Sequence, residues 1–368
     1  MTAARQRARS GAKRGWAAVA QLPAFRALTG DFEVRALTAT SLDSAREAAA
    51  KHNVPLYFDN HQALVERPEV DLVVVSVKVT DHYGPVEAAI RAGKDVLCEW
   101  PLGRNLDQAE RLEALARERG VRTFSCTQIS GAPYARYVRH LIDSGYVGQV
   151  LSTSFVGSIS TWGPVAPQGF QDYLRDRTSG GTMLSILGGH SIEALLWELS
   201  AVLANQHPKV KRADTGEELD KTAEDHLAVA GTLTNGAVAS VHLRGGVSRR
   251  GANRLRWTIN GTRGDIEVVN TESGICHIGL FNVYGAHDDQ TELAELPIPD
   301  EFKPDTKGEV KPEDMGYALV EFFRELAVDL RTGRRSVPTF ADAVRRHRSL
   351  DAIERAAATG QRQTYALA

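Results

Sequence analysis

Between residues 32 and 127, short apolar runs alternate with stretches in which apolar positions recur with helical spacing. The clearest run is Val70–Val77 (VDLVVVSV), whose consecutive β-branched residues are typical of a strand buried on both faces. The pattern predicts strands at Phe32–Ala39, Val70–Val77, Asp95–Cys98 and Arg122–Thr127, and helices at Ala17–Leu28, Ser41–Lys51, Asp81–Ala92 and Leu106–Arg119. Strands and helices that alternate at this spacing predict parallel βαβ units with right-handed crossovers, and hence a doubly wound α/β sheet.

After residue 130 the spacing of apolar residues changes to that of antiparallel hairpins. Asn235-Gly236, a dipeptide typical of tight β-turns, joins the alternating runs His226–Leu233 and Ala237–Arg244. Further strands are predicted at Val150–Gly157, Arg256–Asn260, Gly264–Val269 and Gly274–Phe281, and helices at Tyr134–Gly145, Ile192–Ser200, Met315–Thr332 and Phe340–Thr359. The chain is therefore expected to hold a doubly wound domain at residues 1–129 and, at residues 130–368, an α+β domain with a large, mostly antiparallel open sheet.

Composition is ordinary for a globular protein, with 42% hydrophobic and 24% charged residues. The formal charge of −2 gives no reason to expect direct nucleic-acid binding or attraction to an anionic membrane. No apolar run approaches the roughly 18 residues that a membrane span requires. Cys98, Cys126 and Cys276 are too widely separated to suggest a disulfide framework or a metal site, so a reducing, cytoplasmic location is expected.

The first thirty residues are strongly basic. They include Arg5, Arg7, Arg9, Lys13, Arg14 and Arg26, and no acidic residue precedes Asp31. This composition resembles a transit peptide, but it also fits a helix whose charges lie on the surface of the fold. From about residue 11 onward the second interpretation is favoured, and residues 1–10 are assigned to neither.

Ligands of an open parallel sheet bind beyond the carboxyl ends of its strands. The first such loop contains Gly11 and Gly15 ahead of the helix Ala17–Leu28, and glycines at a helix N-terminus can bind a pyrophosphate through backbone N–H groups. Lys13 and Arg14, between these glycines, either assist phosphate binding or are simply solvated. A dinucleotide site is therefore predicted here, although the spacing G-x-G-x-x-G is absent.

A second strand end carries Thr40 and Ser41, where a dehydrogenase strict for NAD usually places an acidic residue against the ribose 2′-hydroxyl. The first acid in this segment is Asp43, and Arg46 follows within a helical turn. Small hydroxyl residues leave space for a 2′-phosphate, which Arg46 can face. The expected cofactor is therefore NAD or NADP, with NADP slightly favoured.

Several motifs together point to a known family. The chain carries Ser76-Val77-Lys78-Val79-Thr80-Asp81-His82 at one strand end, Glu99-Trp100-Pro101-Leu102 at the next, Gly188-Gly189-His190, and a turn Asn260-Gly261-Thr262-Arg263-Gly264-Asp265. From about residue 11 to the C-terminus the sequence resembles the glucose–fructose oxidoreductase/inositol dehydrogenase (Gfo/Idh/MocA) family. The resemblance implies a Rossmann-type N-terminal domain that binds NAD or NADP, and an oxidoreductase that acts on a sugar, polyol or derivative.

The resemblance also implies which residues transfer the proton. The lysine of the family's Glu-Lys-Pro motif is replaced by Trp100, and the aspartate four residues before the histidine is replaced by Ile186. Neither an indole nor an isoleucine can relay a proton, so only His190 of the usual trio remains. Lys78 is the second catalytic candidate, unless it pairs with Glu99 or with a cofactor phosphate.

Further contacts follow from the same resemblance. The cofactor is expected to contact Lys78, His82, Glu99 and Trp100, and the substrate to contact Trp162, Tyr173, Arg177 and His190. Aromatic side chains suit the faces of sugars, but Trp162 and Tyr173 fit a core or interface position equally well. Asp225 and His226 fit either the cleft or a structural hydrogen bond, and no metal site is expected.

Two functions stay open. The Glu-Trp and Gly-His-Ser-Ile motifs resemble a branch that includes the fungal corepressor of the galactose regulon, which implies a non-catalytic dinucleotide-binding sensor as the alternative to an enzyme. A third interpretation is a relic that binds no cofactor, because Arg5-Gln6-Arg7-Ala8-Arg9 stands where the family has its first apolar strand and cannot be buried there. The open sheet is expected to pack against a second copy, which gives a homodimer or tetramer.

Overall fold

The computed structural model describes residues 15–166, 169–192, 196–246 and 254–364. The N-terminal helices are a π-helical turn Ala17–Gln21, α1 Leu22–Arg26, α2 Leu42–His52, α3 His61–Val65, α4 Tyr83–Arg91 and α5 Leu106–Arg119. They alternate with β1 Ala36–Thr38, β2 Leu56–Phe58, β3 Leu72–Val75, β4 Asp95–Glu99 and β5 Thr123–Cys126. The predicted alternation of strands and helices is therefore confirmed.

The strands of this domain pair in parallel, as β1–β2 and as β3–β4–β5. Helix ends follow the sequence pattern. Asn105 caps α5 by accepting the Gln108 N–H at 3.0 Å, and Gly120 ends the helix in the left-handed conformation at φ +66°. The predictions about Arg5–Arg9, Gly11, Lys13 and Arg14 concern residues outside those that the structure describes.

The second half of the chain carries α6 Pro133–Asp143, α7 Gly189–Ser191, α8 Tyr317–Thr332 and α9 Phe340–Thr359. Its large sheet consists of β6 Val150–Ile159, β8 Leu196–Ala204, β11 His226–Leu233, β12 Val238–Gly245, β13 Leu255–Gly261, β14 Gly264–Asn270, β15 Asn282–His287, β16 Ala294–Glu295 and β17 Gln363–Thr364. A smaller sheet joins β7 Val165–Ala166, β9 Lys209–Arg212 and β10 Glu218–Asp220. The large sheet has the order β16-β15-β14-β13-β6-β12-β11-β8-β17, and among the described strands of this sheet only β6 and β12 pair in parallel. The predicted, mostly antiparallel sheet is confirmed.

Two predicted elements are wrong. The helix predicted at Ile192–Ser200 is replaced by β8, in which buried or half-buried residues alternate with exposed Ser200 and Val202. The two-residue period of a strand prevails there, because β8 pairs with β11 along its length. The segment Gly274–Phe281, predicted as a strand, is a series of turns. At its start, Gly274 lies so close to the Ser158 carbonyl that a Cβ would come within 1.8 Å of the oxygen. The strand begins afterwards, at β15.

The last two helices join the halves of the molecule. In α8, Phe323 stacks on Phe25 of α1 with ring centroids 4.2 Å apart, so this helix packs against the N-terminal domain. Helix α9 packs against both α5 and β8 and buries Phe340, Leu350 and Ile353. Residues beyond the predicted boundary at 130 therefore complete the core of the first domain.

One face of the large sheet lies open. Across β8, β11, β12 and β6, the residues Val202, Ala228, His242 and Val156 lie side by side in register and are exposed. Val202 is 64% exposed and Val156 49%. We call these four residues, with Val238, the outer face. An exposed apolar strip of this kind is typical of a surface that another protein covers.

Asp225, the residue before β11, is fully buried and organises the end of β8. Its carboxylate accepts the backbone N–H groups of Gln206 and His207 at 2.8 Å and lies 3.1 Å from Lys221 Nζ. The structural hydrogen bond with His226 is present, at 2.7 Å from Nδ1. Although burial opposes ionisation, these donors hold the pKa of Asp225 well below its usual range. The carboxylate therefore stays charged and paired.

We predict that Asp225→Asn strongly lowers the free energy of unfolding. It removes the charge that balances Lys221, which is only 3% exposed, and leaving one ion of a buried pair alone costs about 3–5 kcal/mol. Asp220→Asn is the matched control, because Asp220 also pairs with a lysine, Lys209 at 2.6 Å, but both side chains are more than half exposed. Urea unfolding is expected to show no measurable change for that control. Equal losses in the two variants would contradict the structural role of Asp225.

Candidate functional site

Trp100 follows directly after β4 and reaches into the second half of the molecule. It lies between Glu99 and a cis peptide bond to Pro101, and it is 5% exposed. The indole N–H donates to the carbonyl of Ser185 at 2.8 Å. Trp100 therefore connects the carboxyl edge of the N-terminal sheet to the segment that leads to His190.

That segment, Met183–Gly188, is π-helical and runs directly into α7. A reciprocal capping box fixes its start. Gly189 lies against the indole of Trp100, where a Cβ would come within 2.4 Å of Nε1. Because only glycine permits this approach, Gly189 brings its chain neighbour His190 to the boundary between the two halves.

His190 is 6% exposed, and its Nδ1 has no hydrogen-bond partner in the described ranges. Its ring packs against the ring of His277, with centroids 4.3 Å apart. Burial lowers the pKa of His190 well below its ordinary value, and the nearby His277 and Arg346 act in the same direction. The imidazole is therefore neutral at neutral pH, and a neutral imidazole has one nitrogen that accepts a proton.

Helix α9 contributes two residues that the sequence analysis missed. Arg346 donates to the carbonyl of Gly189 at 2.6 Å, and its guanidinium lies 5.5 Å from the ring centroid of Trp100. The ring of His347 lies 4.7 Å from the same indole. Both residues are 4% exposed. In the sequence they belong to the basic run VRRHRS at 344–349, whose charges are typical of a solvated surface, so only their packing identifies them.

Glu99 is buried at the end of β4 and tied to the N-terminal helix. Its Oε1 accepts the indole N–H of Trp16 at 3.0 Å and the amide of Gln21 at 2.5 Å. Burial raises the pKa of Glu99 to about 7, against the opposite effect of these hydrogen bonds. The pair of Lys78 with Glu99 that the sequence left open does not form, because the Lys78 ammonium lies over the ring of Tyr173.

Lys78 and Tyr173 are thus brought together from the two halves of the chain, with Nζ 5.8 Å from the ring centroid. Tyr173 is half-buried, and its ring lies against Gly181, where a Cβ would come within 2.5 Å. Burial, together with the charge of Asp81, raises the pKa of Tyr173 to about 12. The phenol therefore stays protonated and acts here as a hydrogen-bond donor or an apolar plate.

His82 is 2% exposed and holds two loops together. Its Nδ1 lies 2.8 Å from the carbonyl of Pro101, and its Nε2 lies 3.1 Å from the carbonyl of Val77. Burial lowers the pKa of His82. Since both ring nitrogens contact the protein's own backbone, His82 shapes the edge where β3 and β4 end.

Trp162 and Arg177, two residues predicted to contact the substrate, lie in opposite environments. Trp162 is 4% exposed and donates its indole N–H to the carbonyl of Leu174 at 2.8 Å, which is the core position considered from the sequence. Arg177 is exposed, with its guanidinium 3.9 Å from the carboxylate of Glu354. Of the two, only Arg177 offers a side chain to a ligand in solution.

The loop after β1 is accessible. Thr40 and Ser41 are exposed, and Ser41 caps α2 by accepting a backbone N–H of its first turn at 3.2 Å. Arg46 forms an exposed ion pair with Asp43 at 2.6 Å. Gly15 is likewise exposed, just ahead of the first helical turn.

The carboxyl edge of β3, β4 and β5 fits a polar ligand. Ser76 Oγ, Ser125 Oγ and Gln128 Oε1 are buried and have no hydrogen-bond partner among the residues described. Buried polar atoms are normally satisfied, so groups from a bound molecule are expected to complete them. Within the described ranges, no three His, Cys, Asp or Glu side chains are grouped to bind a metal, and no helix is long and apolar enough to cross a membrane.

Two family models match the chain. One, described as an oxidoreductase family with an NAD-binding Rossmann fold (Gfo/Idh/MocA), matches residues 11–127. The other, described as the C-terminal domain of Gal80p and similar proteins, matches residues 133–270. The two matches follow one another along the chain and meet near the predicted domain boundary.

Relatives of two kinds are similar in sequence. The galactose/lactose metabolism regulatory protein GAL80 of Saccharomyces cerevisiae is 26% identical over 328 residues, which cover 83% of this chain and 73% of that protein. The dehydrogenase aclE of Aspergillus oryzae is 28% identical over 347 residues, which cover 91% of this chain and 89% of that protein.

Solved structures show the same fold. A super-repressor mutant of Gal80p from Saccharomyces cerevisiae superposes with a TM-score of 0.86 at 21% identity, covering 97% of this chain and 96% of that one. Levoglucosan dehydrogenase in complex with NADH and levoglucosan gives 0.80 at 19% identity, covering 95% and 96%. Residues 11–127 therefore match the NAD-binding Rossmann fold of the Gfo/Idh/MocA oxidoreductase family, and residues 133–270 match a C-terminal domain of the Gal80p type.

Proposed function

We propose that the chain is an oxidoreductase that uses NAD or NADP to oxidise or form a CH–OH group of a sugar, polyol or derivative. The observation that carries the proposal is the buried, neutral His190, whose Nδ1 has no partner in the described ranges. A base positioned in this way takes the hydroxyl proton in the oxidative direction. A dehydrogenase among the relatives, and a dehydrogenase with NADH and levoglucosan among the structural neighbours, support the same reaction class.

The unpartnered atoms at the carboxyl edge of the N-terminal sheet support a dinucleotide there. When bound, the nicotinamide accepts or donates the hydride. We propose that the cofactor is held by Gly11, Lys13, Arg14, Gly15, Thr40, Ser41, Lys78, His82, Glu99 and Trp100, together with Ser76 and Gln128. Of these residues, His82 acts by holding the loops in place, because both of its ring nitrogens already contact backbone carbonyls.

Proton transfer falls to residues other than the family's lysine. Trp100 has its only donor bound to Ser185 and carries no group that exchanges a proton near neutral pH. His190 is the proposed base, and Lys78, with its ammonium beside Tyr173, is the proposed second proton carrier. Tyr173 and Arg177 are the proposed substrate contacts.

We predict that His190→Ala lowers kcat/KM at least a hundredfold and leaves cofactor binding unchanged, because only the proton acceptor is lost. Absorbance of the reduced cofactor, with a panel of sugars, polyols and sugar acids, measures turnover. Since burial keeps the pKa of His190 well below its ordinary value, oxidation by Glu99→Gln, which lacks the carboxyl with a pKa of about 7, is expected to stay level as the pH falls from 8 to 6.5. His61→Ala, at an exposed helix position, is the control. A rate that halves near pH 6.5, or full activity in His190→Ala, would refute the assignment.

A second candidate function is a sensor that binds the dinucleotide without turnover. It is favoured by one observation, the indole of Trp100 fixed on Ser185 in the position of the family's catalytic lysine, and by the similarity to a regulatory protein. Calorimetric titration of NADH and NADPH, together with the turnover assay, distinguishes the sensor from the oxidoreductase. Micromolar binding with no turnover on any member of the panel identifies the sensor, and no binding of either dinucleotide at millimolar concentration excludes both functions.

We propose that NADP is preferred over NAD, because the loop after β1 offers the exposed hydroxyls of Thr40 and Ser41 and no acid to repel a 2′-phosphate. Arg46, paired with Asp43 on the surface, is the cation within reach of that loop. We predict that NADPH binds several-fold more tightly than NADH and that Arg46→Ala removes the difference while NADH binding stays constant. Calorimetry of both nucleotides with both proteins tests this. Tighter NADH binding in the unaltered chain would show the preference to be reversed.

We also propose that the chain forms a homo-oligomer through its outer face, where three exposed valines, Ala228 and His242 lie across four neighbouring strands. Val202→Lys, at the β8 end of that strip and 64% exposed, is predicted to shift the protein to monomer in sedimentation velocity. Val165→Lys is the matched control, since Val165 is 51% exposed but belongs to the smaller sheet. A monomeric unaltered chain, or dissociation by both substitutions, would count against this interface.

A further inference from the structure

A cavity of about 370 Å³ lies in the second half of the molecule, between the start of α6, the turns that precede β15 and the start of α8. Its volume falls within the roughly 300–1,000 Å³ of typical small-molecule sites. It is lined by none of the residues proposed to hold the cofactor. One wall residue, His277, packs its ring against His190. The cavity is therefore a separate space that adjoins the proposed active site.

Aromatic side chains form much of the cavity wall. Tyr134 and Phe281 stack with centroids 4.1 Å apart and planes within 19° of parallel, and Tyr317 joins them. Tyr134 is 1% exposed and its hydroxyl donates to the carbonyl of Cys276 at 2.5 Å, so Tyr134 supports Phe281 from behind, and the half-buried rings of Phe281 and Tyr317 are the ones offered to a ligand. Leu280, also in the wall, is 55% exposed. Such surroundings favour a flat, apolar ring.

The charged groups at the cavity already have partners. Lys303 pairs with Asp300 at 2.8 Å, Asp314 accepts a backbone N–H at 2.8 Å, and Glu295 accepts the side-chain amide of Asn282 at 3.3 Å. The cavity wall therefore carries two carboxylates, Glu295 and Asp314, and one lysine, Lys303, whose charge is balanced by Asp300. Nothing in this arrangement favours an anionic ligand over an uncharged one.

His277 is the polar group that a ligand can use. In the described residues its hydrogen-bond contact is the Nδ1 approach to the thiol of the adjacent Cys276 at 3.8 Å, which is weak. Burial lowers the pKa of His277 to about 3, so the ring is uncharged. A neutral imidazole offers one donor and one acceptor, which suits a hydroxyl or an amide.

We propose that this cavity binds an uncharged aromatic molecule that carries one hydroxyl or amide group. Its ring packs against Phe281 and Tyr317, and its polar group hydrogen-bonds to His277. Phenols are the simplest members of this class. The site goes beyond the proposed redox function, and a binding measurement tests it independently of any turnover.

The probe is 4-bromophenol, titrated into the full chain and followed by calorimetry and ligand-observed NMR. One saturable site is expected. Asn282→Trp, an exposed position at the rim of the cavity, is expected to weaken binding at least tenfold by filling the entrance. Glu292→Trp, an exposed loop position outside the cavity wall, is the matched control and is expected to bind normally. Thermal unfolding shows whether each variant is folded.

A second variant tests the polar contact. His277→Phe keeps a ring in the wall and removes the hydrogen bond, so it is expected to weaken 4-bromophenol about fivefold while bromobenzene binds as before. The bromine of a soaked crystal locates the ligand by anomalous scattering. The proposal is overturned if 4-bromophenol does not saturate the chain below millimolar concentration, or if Asn282→Trp binds it as well as the unaltered chain. It is also overturned if the bromine lies elsewhere in the crystal, or if the ligand binds at crystal concentration only. Displacement of the probe by a second copy of the chain would identify the cavity as a contact between protein molecules instead.

Discussion

One contact determines where the candidate site lies: the hydrogen bond of 2.8 Å from the Trp100 indole to the Ser185 carbonyl. The indole belongs to the end of a parallel strand, and the carbonyl belongs to the π-helical segment that carries His190. The contact requires glycine at position 189, because any side chain there would collide with the indole. Arg346 closes the arrangement from α9 by binding the Gly189 carbonyl. The bond from Trp100 thus joins the two halves, and the bond from Arg346 ties α9 to the same segment.

The same packing sets the electrostatics of the site. His190, His277 and His347 are all buried near this contact, and burial lowers the pKa of each. The nearby Arg346 guanidinium lowers the pKa of His190 and His347 further. A site built in this way holds its imidazoles as neutral bases and acceptors.

Elements with strong local patterns could be predicted from the sequence, and those set by tertiary contacts could not. Helix α5, with its Asn cap and its final glycine, and the hairpin around Asn235-Gly236 follow from residues within one segment. Strand β8 was missed because its apolar residues fit a helix as well as a strand, and only pairing with β11 decides between them. His190 was found through its motif. Arg346, His347 and His277 were missed because a basic run and an isolated loop histidine carry no local indication of burial.

Replacement of the family's lysine by Trp100 changes the kind of work done at that position. A lysine there holds a mobile charge and exchanges a proton, whereas the indole has one donor, and the protein itself occupies it. Trp100 supplies no acid–base group, but its indole also packs against Gly189, Arg346 and His347 and so holds these residues in place. Relatives of this chain include both a dehydrogenase and a regulatory protein, and an indole at this position is compatible with either function, because it holds the segment before His190 without exchanging a proton.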